Sequence, residues 1–132
     1  MATIALTTAE FDRVVESSDI VLVDFWASWC GPCRAFAPIF EAASNQHPDV
    51  VFGKVDTEAE TELAAQAGIR SIPTLMAFRD RVLLYAQPGM LPAAALEELV
   101  TKVKALDMDE VRRTLAAQSE QPAPTAVGSP AE

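Results

Sequence analysis

Seven consecutive residues, Ile20 to Trp26, form a run that is apolar throughout except for Asp24. The run is rich in β-branched and aromatic side chains and lacks the polar alternation of a half-exposed strand, so it is typical of a strand covered on both faces. Such a strand requires neighbouring strands beside it and helices on both sides of the sheet. The run therefore predicts a fold built around a buried central sheet.

Helical and extended patterns alternate on either side of this strand. We predict helices from Thr7 to about Glu16, after Cys33, from Thr57 to near Gly68, and from Pro92 to about Ala105. Further strands are predicted at 49–56, 74–78 and 82–86, the last two as an antiparallel hairpin. This order predicts an α/β fold with a mixed sheet, parallel in its centre with the hairpin at one side, and helices on both faces.

Two of these helices begin with the spacing of a capping box, Thr7 with Glu10 and Thr57 with Glu60. In a capping box, each side chain satisfies a backbone N–H group of the first turn. We therefore expect both helices to start with reciprocal contacts between side chain and backbone.

The C-terminal part differs in composition from the rest of the chain. Asp107 followed by Glu110 permits one more capped helix. The last residues are mostly Pro, Ala, Gly and Ser, which leave too little apolar surface to offset the entropy of ordering. The expected organisation is one domain over 1–106, an extra helix at 107–119 and a disordered tail at 120–132.

Charge and composition exclude several function classes. Ten Lys and Arg against nineteen Asp and Glu give a net charge of -9, which repels nucleic acid and anionic membrane surfaces. No run approaches the ~20 apolar residues of a membrane span, and the first residues lack the pattern of an export signal. Two Cys and one His cannot supply the four ligands of a structural zinc site, so we expect no metal. We expect a cytoplasmic monomer.

The sequence Cys30-Gly31-Pro32-Cys33 lies between the buried strand and the following helix. Three-residue spacing at a helix start brings the two sulfur atoms to one side of the first turn, close enough to bond. Pro32 is tolerated because the first turn does not use its missing N–H group. The pattern predicts a redox-active pair of thiols.

The helix start also gives the two thiols different roles. Cys30 is expected where unpaired N–H groups and the positive end of the helix dipole favour a thiolate, so it is the expected nucleophile. Cys33 faces the core and is expected to resolve the mixed disulfide that Cys30 forms with a substrate. The alternatives are two inert buried thiols and a metal site shared between subunits.

The segment VDFWASWCGPC, with Pro38, Lys54 and the segment Gly68 to Thr74, resembles thioredoxin over about residues 1–105. The resemblance implies the thioredoxin fold, Cys30 as nucleophile and Cys33 as resolving thiol. It also implies that Pro73 is a cis-proline facing the active site. Further positions match the family's substrate groove: Trp29, Gly31, Pro32, Ile72, Pro73 and Gly89.

Asp24 matches the family's buried carboxylate. Burial raises the pKa of such a group, which would let it exchange a proton with Cys33. The alternative is a structural carboxylate paired with Lys54, and Lys54 can serve both roles by pairing with Asp24. We therefore count Asp24 and Lys54 among the candidate catalytic residues.

The resemblance implies a general protein disulfide reductase. It would hold no cofactor and would receive electrons from NADPH through a flavoprotein thioredoxin reductase. Its substrates would be disulfide-containing proteins such as peroxiredoxins, methionine sulfoxide reductases and ribonucleotide reductases. The alternatives are a redox-gated binding module or assembly subunit that uses the same groove, and an oxidase or isomerase of an oxidising compartment.

Two departures from the family pattern concern loops. Asp80-Arg81 stands where the family has Asn-Gly in the hairpin, so the positive φ that glycine allows would be strained or replaced. Pro88 stands where an aliphatic residue is common, which removes one backbone donor at the groove rim.

Overall fold

The computed structural model describes residues 3–120 of the chain. It contains five strands in one sheet, in the order β1-β3-β2-β4-β5. The elements along the chain are β1 (Thr3–Ala5), α1 (Thr8–Ser17), β2 (Ile20–Trp26), α2 (Gly31–Gln46), β3 (Val51–Asp56), α3 (Thr61–Gln66), β4 (Thr74–Arg79), β5 (Val82–Pro88), α4 (Ala93–Ala105) and α5 (Met108–Glu120).

The central strand β2 has one parallel and one antiparallel neighbour. It pairs parallel with β3, where Asp24 lies opposite Lys54, and antiparallel with β4, where Asp24 lies opposite Leu75. The predicted mixed sheet with its hairpin at one side is confirmed. The short edge strand β1, which pairs parallel with β3, was not predicted, because three residues are too few to show a period.

The two faces of β2 enter two separate cores. Leu22 packs with Phe36 and Phe40 of α2 and with residues of α4. Val21, Val23 and Phe25 point to the other face and pack with residues of α1 and α3. The helices therefore cover the sheet on both faces, as the apolar run predicts, and Asp24 lies on the face that α2 covers.

The predicted capping boxes do not form. Thr7 Oγ1 donates to Glu10 Oε1 at 3.1 Å instead of capping a backbone N–H. Thr57 Oγ1 donates to the Trp26 carbonyl, and α3 begins later, with Glu60 as its N-cap residue. The Glu60 carboxylate accepts from the Thr8 N–H at 2.9 Å, so it joins two elements instead of capping its own helix.

The β4–β5 turn keeps the geometry of a tight hairpin without glycine. Asp80 and Arg81 have φ of 52° and 70°, the left-handed region that favours glycine. The Asp80 N–H donates to the Asp19 carbonyl at 2.9 Å, and the Asp80 carboxylate pairs with Arg112 of α5 at 3.2 Å. The turn is therefore strained, and contacts outside the hairpin hold it.

The end of α4 and the start of α5 are fixed to the sheet. Arg79 Nη1 donates to the carbonyls of Val103, Lys104 and Leu106 at 2.8–3.0 Å. Asp107 Oδ1 accepts from the Glu110 N–H, and Met108 is buried. Within the segment predicted to be disordered, residues 121–132 lie outside the described residues.

His47 follows α2, and its side chain is only 12% exposed. Its Nε2 atom lies 2.8 Å from Glu97 Oε1, and its Nδ1 atom accepts from Lys104 Nζ at 2.9 Å. The ring thus joins the end of α2 to α4.

Candidate active site

Cys30 and Cys33 are joined in a disulfide at the N-terminus of α2, with their Cα atoms 5.2 Å apart. Cys30 is the N-cap residue, and its Sγ atom accepts from the Cys33 N–H at 3.2 Å. Pro32 lies in the first turn of α2, where no partner for an N–H group is needed. The strand β2 ends at Trp26, so a short loop connects it to Cys30 at the start of α2.

The two sulfur atoms lie in a small apolar cluster. Cys30 is 5% and Cys33 is 3% exposed, and they pack with Ala27 and with the partly buried Trp26 and Ile72. Cys30 Sγ also lies 3.6 Å from the Ile72 carbonyl oxygen. When the disulfide opens, Cys30 is the sulfur that lies at the positive end of the α2 dipole, beside a backbone N–H donor.

The loops around the disulfide form an open rim. The Ile72-Pro73 peptide bond is cis, and the Pro73 carbonyl accepts from the Gly89 N–H at 2.7 Å. Trp29 is 65% exposed next to Cys30. Gly31 and Pro32 are exposed as well. The residues predicted for the substrate groove thus come from three chain segments that meet beside the disulfide.

Asp24 is fully buried, and neither of its carboxylate oxygens has a hydrogen-bond partner among the described residues. Loss of hydration raises the pKa of this carboxyl to about 7, and the positive charge of Lys54 opposes that shift. Asp24 therefore changes its protonation state near neutral pH, on the sheet face covered by the helix that carries Cys33.

Lys54 does not form the predicted ion pair with Asp24. The two residues are register neighbours on β2 and β3, but no Lys54–Asp24 contact falls within salt-bridge distance in the described part of the chain. The Lys54 ammonium lies over the Trp26 ring, 5.0 Å from its centroid. Lys54 thus acts on Asp24 only through its charge, and the reading of Asp24 as one half of a structural ion pair is wrong.

Sequence reasoning missed Arg34 as part of this region. Its Nη1 atom donates to the Ser28 carbonyl at 2.9 Å, which connects the first turn of α2 to the loop that carries Trp29. The available signal was its position four residues after Cys30, on the same side of the helix.

Within residues 3–120, no group of three or more His, Cys, Asp and Glu side chains could hold a metal ion. In the same part of the chain, no helix is long and apolar enough to cross a membrane.

Comparisons with known proteins agree with this geometry. A family model described as Thioredoxin matches residues 2–116. A relative in Streptomyces coelicolor, named as a thioredoxin 2, is 53% identical over 120 residues, which cover 91% of this chain and 90% of the relative. Thioredoxin 1 of Synechococcus elongatus is 46% identical over 100 residues, covering 74% of this chain and 94% of that protein.

Solved structures give the same result. A mutant thioredoxin from Halobacterium salinarum has a TM-score of 0.73 at 32% identity, covering 79% of this chain and 92% of that one. A second structure comes from work on the thiol resolving mechanism in yeast mitochondrial 1-Cys peroxiredoxin via glutathione/thioredoxin systems. Its TM-score is 0.71 at 27% identity, covering 76% of this chain and 95% of that one.

Proposed function

Because the chain belongs to the thioredoxin family and is a thiol-disulfide oxidoreductase that reduces protein disulfides, we propose that Cys30 attacks the substrate and Cys33 resolves the intermediate. The observation that supports these roles is the asymmetric position of the two sulfur atoms. Cys30 is the N-cap residue of α2 and its sulfur accepts a backbone N–H, whereas Cys33 lies inside the first turn. Only the first position favours a thiolate.

The reaction is a pair of thiol-disulfide exchanges. The Cys30 thiolate attacks one sulfur of the substrate disulfide, the substrate bond breaks, and the departing sulfur takes up a proton. The Cys33 thiol then loses its proton and attacks the Cys30 sulfur. The mixed disulfide breaks, the second substrate thiol leaves, and the Cys30–Cys33 bond forms. The substrate gains two electrons and two protons, and the protein ends in the disulfide form.

Asp24 is proposed to accept the proton of Cys33 in the second exchange. Its support is a pKa near 7, its burial on the face covered by α2, and the lack of any competing hydrogen-bond partner among the described residues. Lys54 is proposed to stabilise the ionised form of Asp24 through its charge alone. In this proposal Asp24 and Lys54 act on Cys33 and on each other, and neither of them contacts the substrate.

The substrate is proposed to bind as an extended segment against Trp29, Gly31, Pro32, Ile72, Pro73 and Gly89. Two features support this groove. Trp29 exposes a large apolar surface beside Cys30. The cis-Pro73 segment lies against the disulfide, since the Ile72 carbonyl approaches Cys30 Sγ. An exposed aromatic side chain beside the reactive sulfur provides contact area for many different partners.

Family membership implies a reductase partner and disulfide-containing substrates in general. More specifically, we propose that electrons come from NADPH through a flavoprotein thioredoxin reductase and that the protein binds no cofactor. The proposed substrates are peroxiredoxins, methionine sulfoxide reductases and ribonucleotide reductases. The protein is proposed to act on them as a monomer in the cytoplasm. The similarity to a structure from work on a yeast peroxiredoxin supports the first of these substrate classes.

The test separates the two cysteines. Cys30→Ser is expected to abolish dithiothreitol-driven reduction of insulin, because no thiolate remains to attack. Cys33→Ser is expected to make the first attack and then accumulate mixed disulfides, which mass spectrometry identifies as covalent adducts.

Insulin reduction that survives Cys30→Ser would contradict the assignment of the nucleophile. Normal partner binding and an intact cellular role in the Cys30→Ser, Cys33→Ser double variant would instead favour a binding module that uses the same groove.

A further inference from the structure

Met90 differs from the other methionines of the described part of the chain. It is 38% exposed, whereas Met76 is 8% and Met108 is 5% exposed in the packed interior. Oxidation of a thioether requires access of the oxidant to sulfur, so exposure decides which methionine reacts. Met90 is therefore the methionine in residues 3–120 that is open to a dissolved peroxide.

Met90 follows directly on the rim of the proposed substrate groove. The preceding Gly89 is fixed there, because its N–H donates to the Pro73 carbonyl at 2.7 Å. The following Leu91 packs against the core between the sheet and α4. With both chain neighbours anchored, the Met90 backbone is held beside the cis-proline loop.

The backbone of this rim offers few hydrogen-bond donors to a substrate. Pro88 has no N–H group, and the N–H of Gly89 is already used by Pro73. Met90 is exposed directly after Gly89, and it offers this rim a flexible apolar thioether that adapts to different partners. The binding contribution of Met90 therefore depends on its staying apolar.

We propose that Met90 is a reversible oxidation site through which peroxide weakens the docking of protein substrates. Peroxide transfers one oxygen atom to the Met90 sulfur, its O–O bond breaks, an S–O bond forms and water is released. The sulfur loses two electrons and the peroxide gains them. A methionine sulfoxide reductase restores the thioether with two electrons and two protons, releasing water.

This inference rests on the proposed groove, and its consequence follows from polarity. A sulfoxide in place of the thioether must lose part of its hydration when a substrate covers it, and the rim has no free backbone donor at 88–89 to compensate. We expect the KM for a protein disulfide to rise roughly three- to tenfold. The value of kcat stays unchanged because the two cysteines are not altered.

The first experiment maps the reaction. The disulfide form of the protein, whose cysteines are protected, is treated with hydrogen peroxide and digested, and each methionine peptide is followed by mass spectrometry. Met90 is expected to gain one oxygen atom well before Met76 and Met108. Oxidation of either buried methionine at the same rate as Met90 would overturn the proposal.

The second experiment measures the consequence. The oxidised protein is reduced with dithiothreitol, which leaves the sulfoxide intact, and the kinetics of insulin reduction are compared with those of a small aromatic disulfide. The KM for insulin is expected to rise, while the rate with the small disulfide, which does not need the rim, stays the same. An unchanged KM for insulin in a sample with mapped Met90 sulfoxide would overturn the proposal.

Two variants complete the design. Met90→Leu keeps an apolar side chain without sulfur, so peroxide treatment is expected to leave the KM of this variant as it was before treatment. Met90→Gln introduces a polar side chain of similar length and is expected to raise KM without peroxide. Each protein is compared with its own untreated form, and the cysteines are intact throughout. If peroxide leaves the KM of the wild-type protein unchanged, the result therefore contradicts only the role of Met90. Failure of the proposed function would be seen separately, as insulin reduction that survives Cys30→Ser.

Discussion

At the scale of single residues, Asp24 governs the pH dependence that we expect for the second exchange. A carboxyl group with a pKa of about 7 is mostly ionised above neutral pH and mostly protonated below it. Only the ionised form can accept the proton of Cys33. The rate of the resolving step should therefore rise through pH 7.

Asp24→Asn removes that base without changing the size of the side chain. We expect the resolving step to slow by roughly tenfold or more at pH 8, whereas the first attack by Cys30 keeps its rate. Stopped-flow measurement of mixed-disulfide decay between pH 6 and 9 tests this. A resolving rate in the variant that matches the wild-type profile across this range would leave Asp24 with a purely structural role.

The position of Asp24 could be predicted from the sequence, but its surroundings could not. A lone carboxylate in an apolar strand is visible in IVLVDFW, and its burial follows from the strand. The conformation of the Lys54 side chain cannot be deduced from the sequence, because its long aliphatic stem allows the ammonium group to reach several nearby partners. In the structure it lies over Trp26, so Asp24 keeps no ion pair within the described residues.

At the scale of elements, the β4–β5 turn carries strain that a substitution can relieve. Arg81 has φ of 70° and is exposed, so its Cβ atom costs free energy without an interior contact in return. We expect Arg81→Gly to raise the free energy of unfolding by about 1 kcal/mol. Urea denaturation measures the change.

Arg81→Ala is the matched control for this turn. It removes the same charged side chain but keeps a Cβ atom in the left-handed region, so no comparable gain is expected. Equal stabilisation by the two variants would mean that the arginine side chain, and not backbone strain, is the source of the cost.

Gly53 of β3 lies against Leu6, the residue that follows the edge strand β1. A Cβ atom added there would overlap Leu6 Cδ1 and lie 2.9 Å from Leu6 Cγ, and Leu6 is itself buried. We expect Gly53→Ala to lower the free energy of unfolding by roughly 1–3 kcal/mol. Gly31→Ala is the control for thermal unfolding, since an added Cβ there meets nothing within 4 Å.

If Gly53→Ala and Gly31→Ala melted at the same temperature, the close approach of Leu6 to Gly53 would not limit the packing there. The result would also show that Leu6 can move away from β3 at no cost.

Elements with strong patterns were predicted well, and elements without them were not. Strand β2 spans Ile20–Trp26 as predicted, because both of its faces are buried and its composition is uniform. Strand β1 is held by pairing to β3 more than by its own composition. The start of α3 was misplaced because Thr57 and Glu60 have the spacing of a capping box but bond to other elements.

At the scale of the whole molecule, burial of Asp24 makes stability depend on pH. Its pKa is 3.8 in the unfolded chain and about 7 in the folded one, so the folded state holds a proton that the unfolded state releases. The proton on Asp24 therefore adds to the free energy of unfolding. This stabilisation is fully present below pH 3.8 and is lost as pH rises through 7. The loss amounts to about 4 kcal/mol for a shift from 3.8 to about 7.

We expect the free energy of unfolding of the wild-type disulfide form to fall between pH 4 and 8, and that of Asp24→Asn to vary much less. Chemical denaturation at several pH values measures both curves. The lowered pKa values of the exposed Asp49, Glu97 and Asp109 affect stability only at the acid end of this range, and they act alike in both proteins. Parallel curves for the two proteins would mean that Asp24 titrates alike in the folded and unfolded chain.

The attachment of Arg79 to three carbonyls fixes the point at which the C-terminal helix starts. Strand β4 starts next to the cis-proline and ends at Arg79, so α5 starts at the end of the sheet remote from Cys30. A fluorescent label or an affinity handle joined to the first turn of α5 would therefore stand clear of incoming disulfides. The same geometry makes that end suitable for immobilising the protein on a sensor with its reactive edge facing the solution.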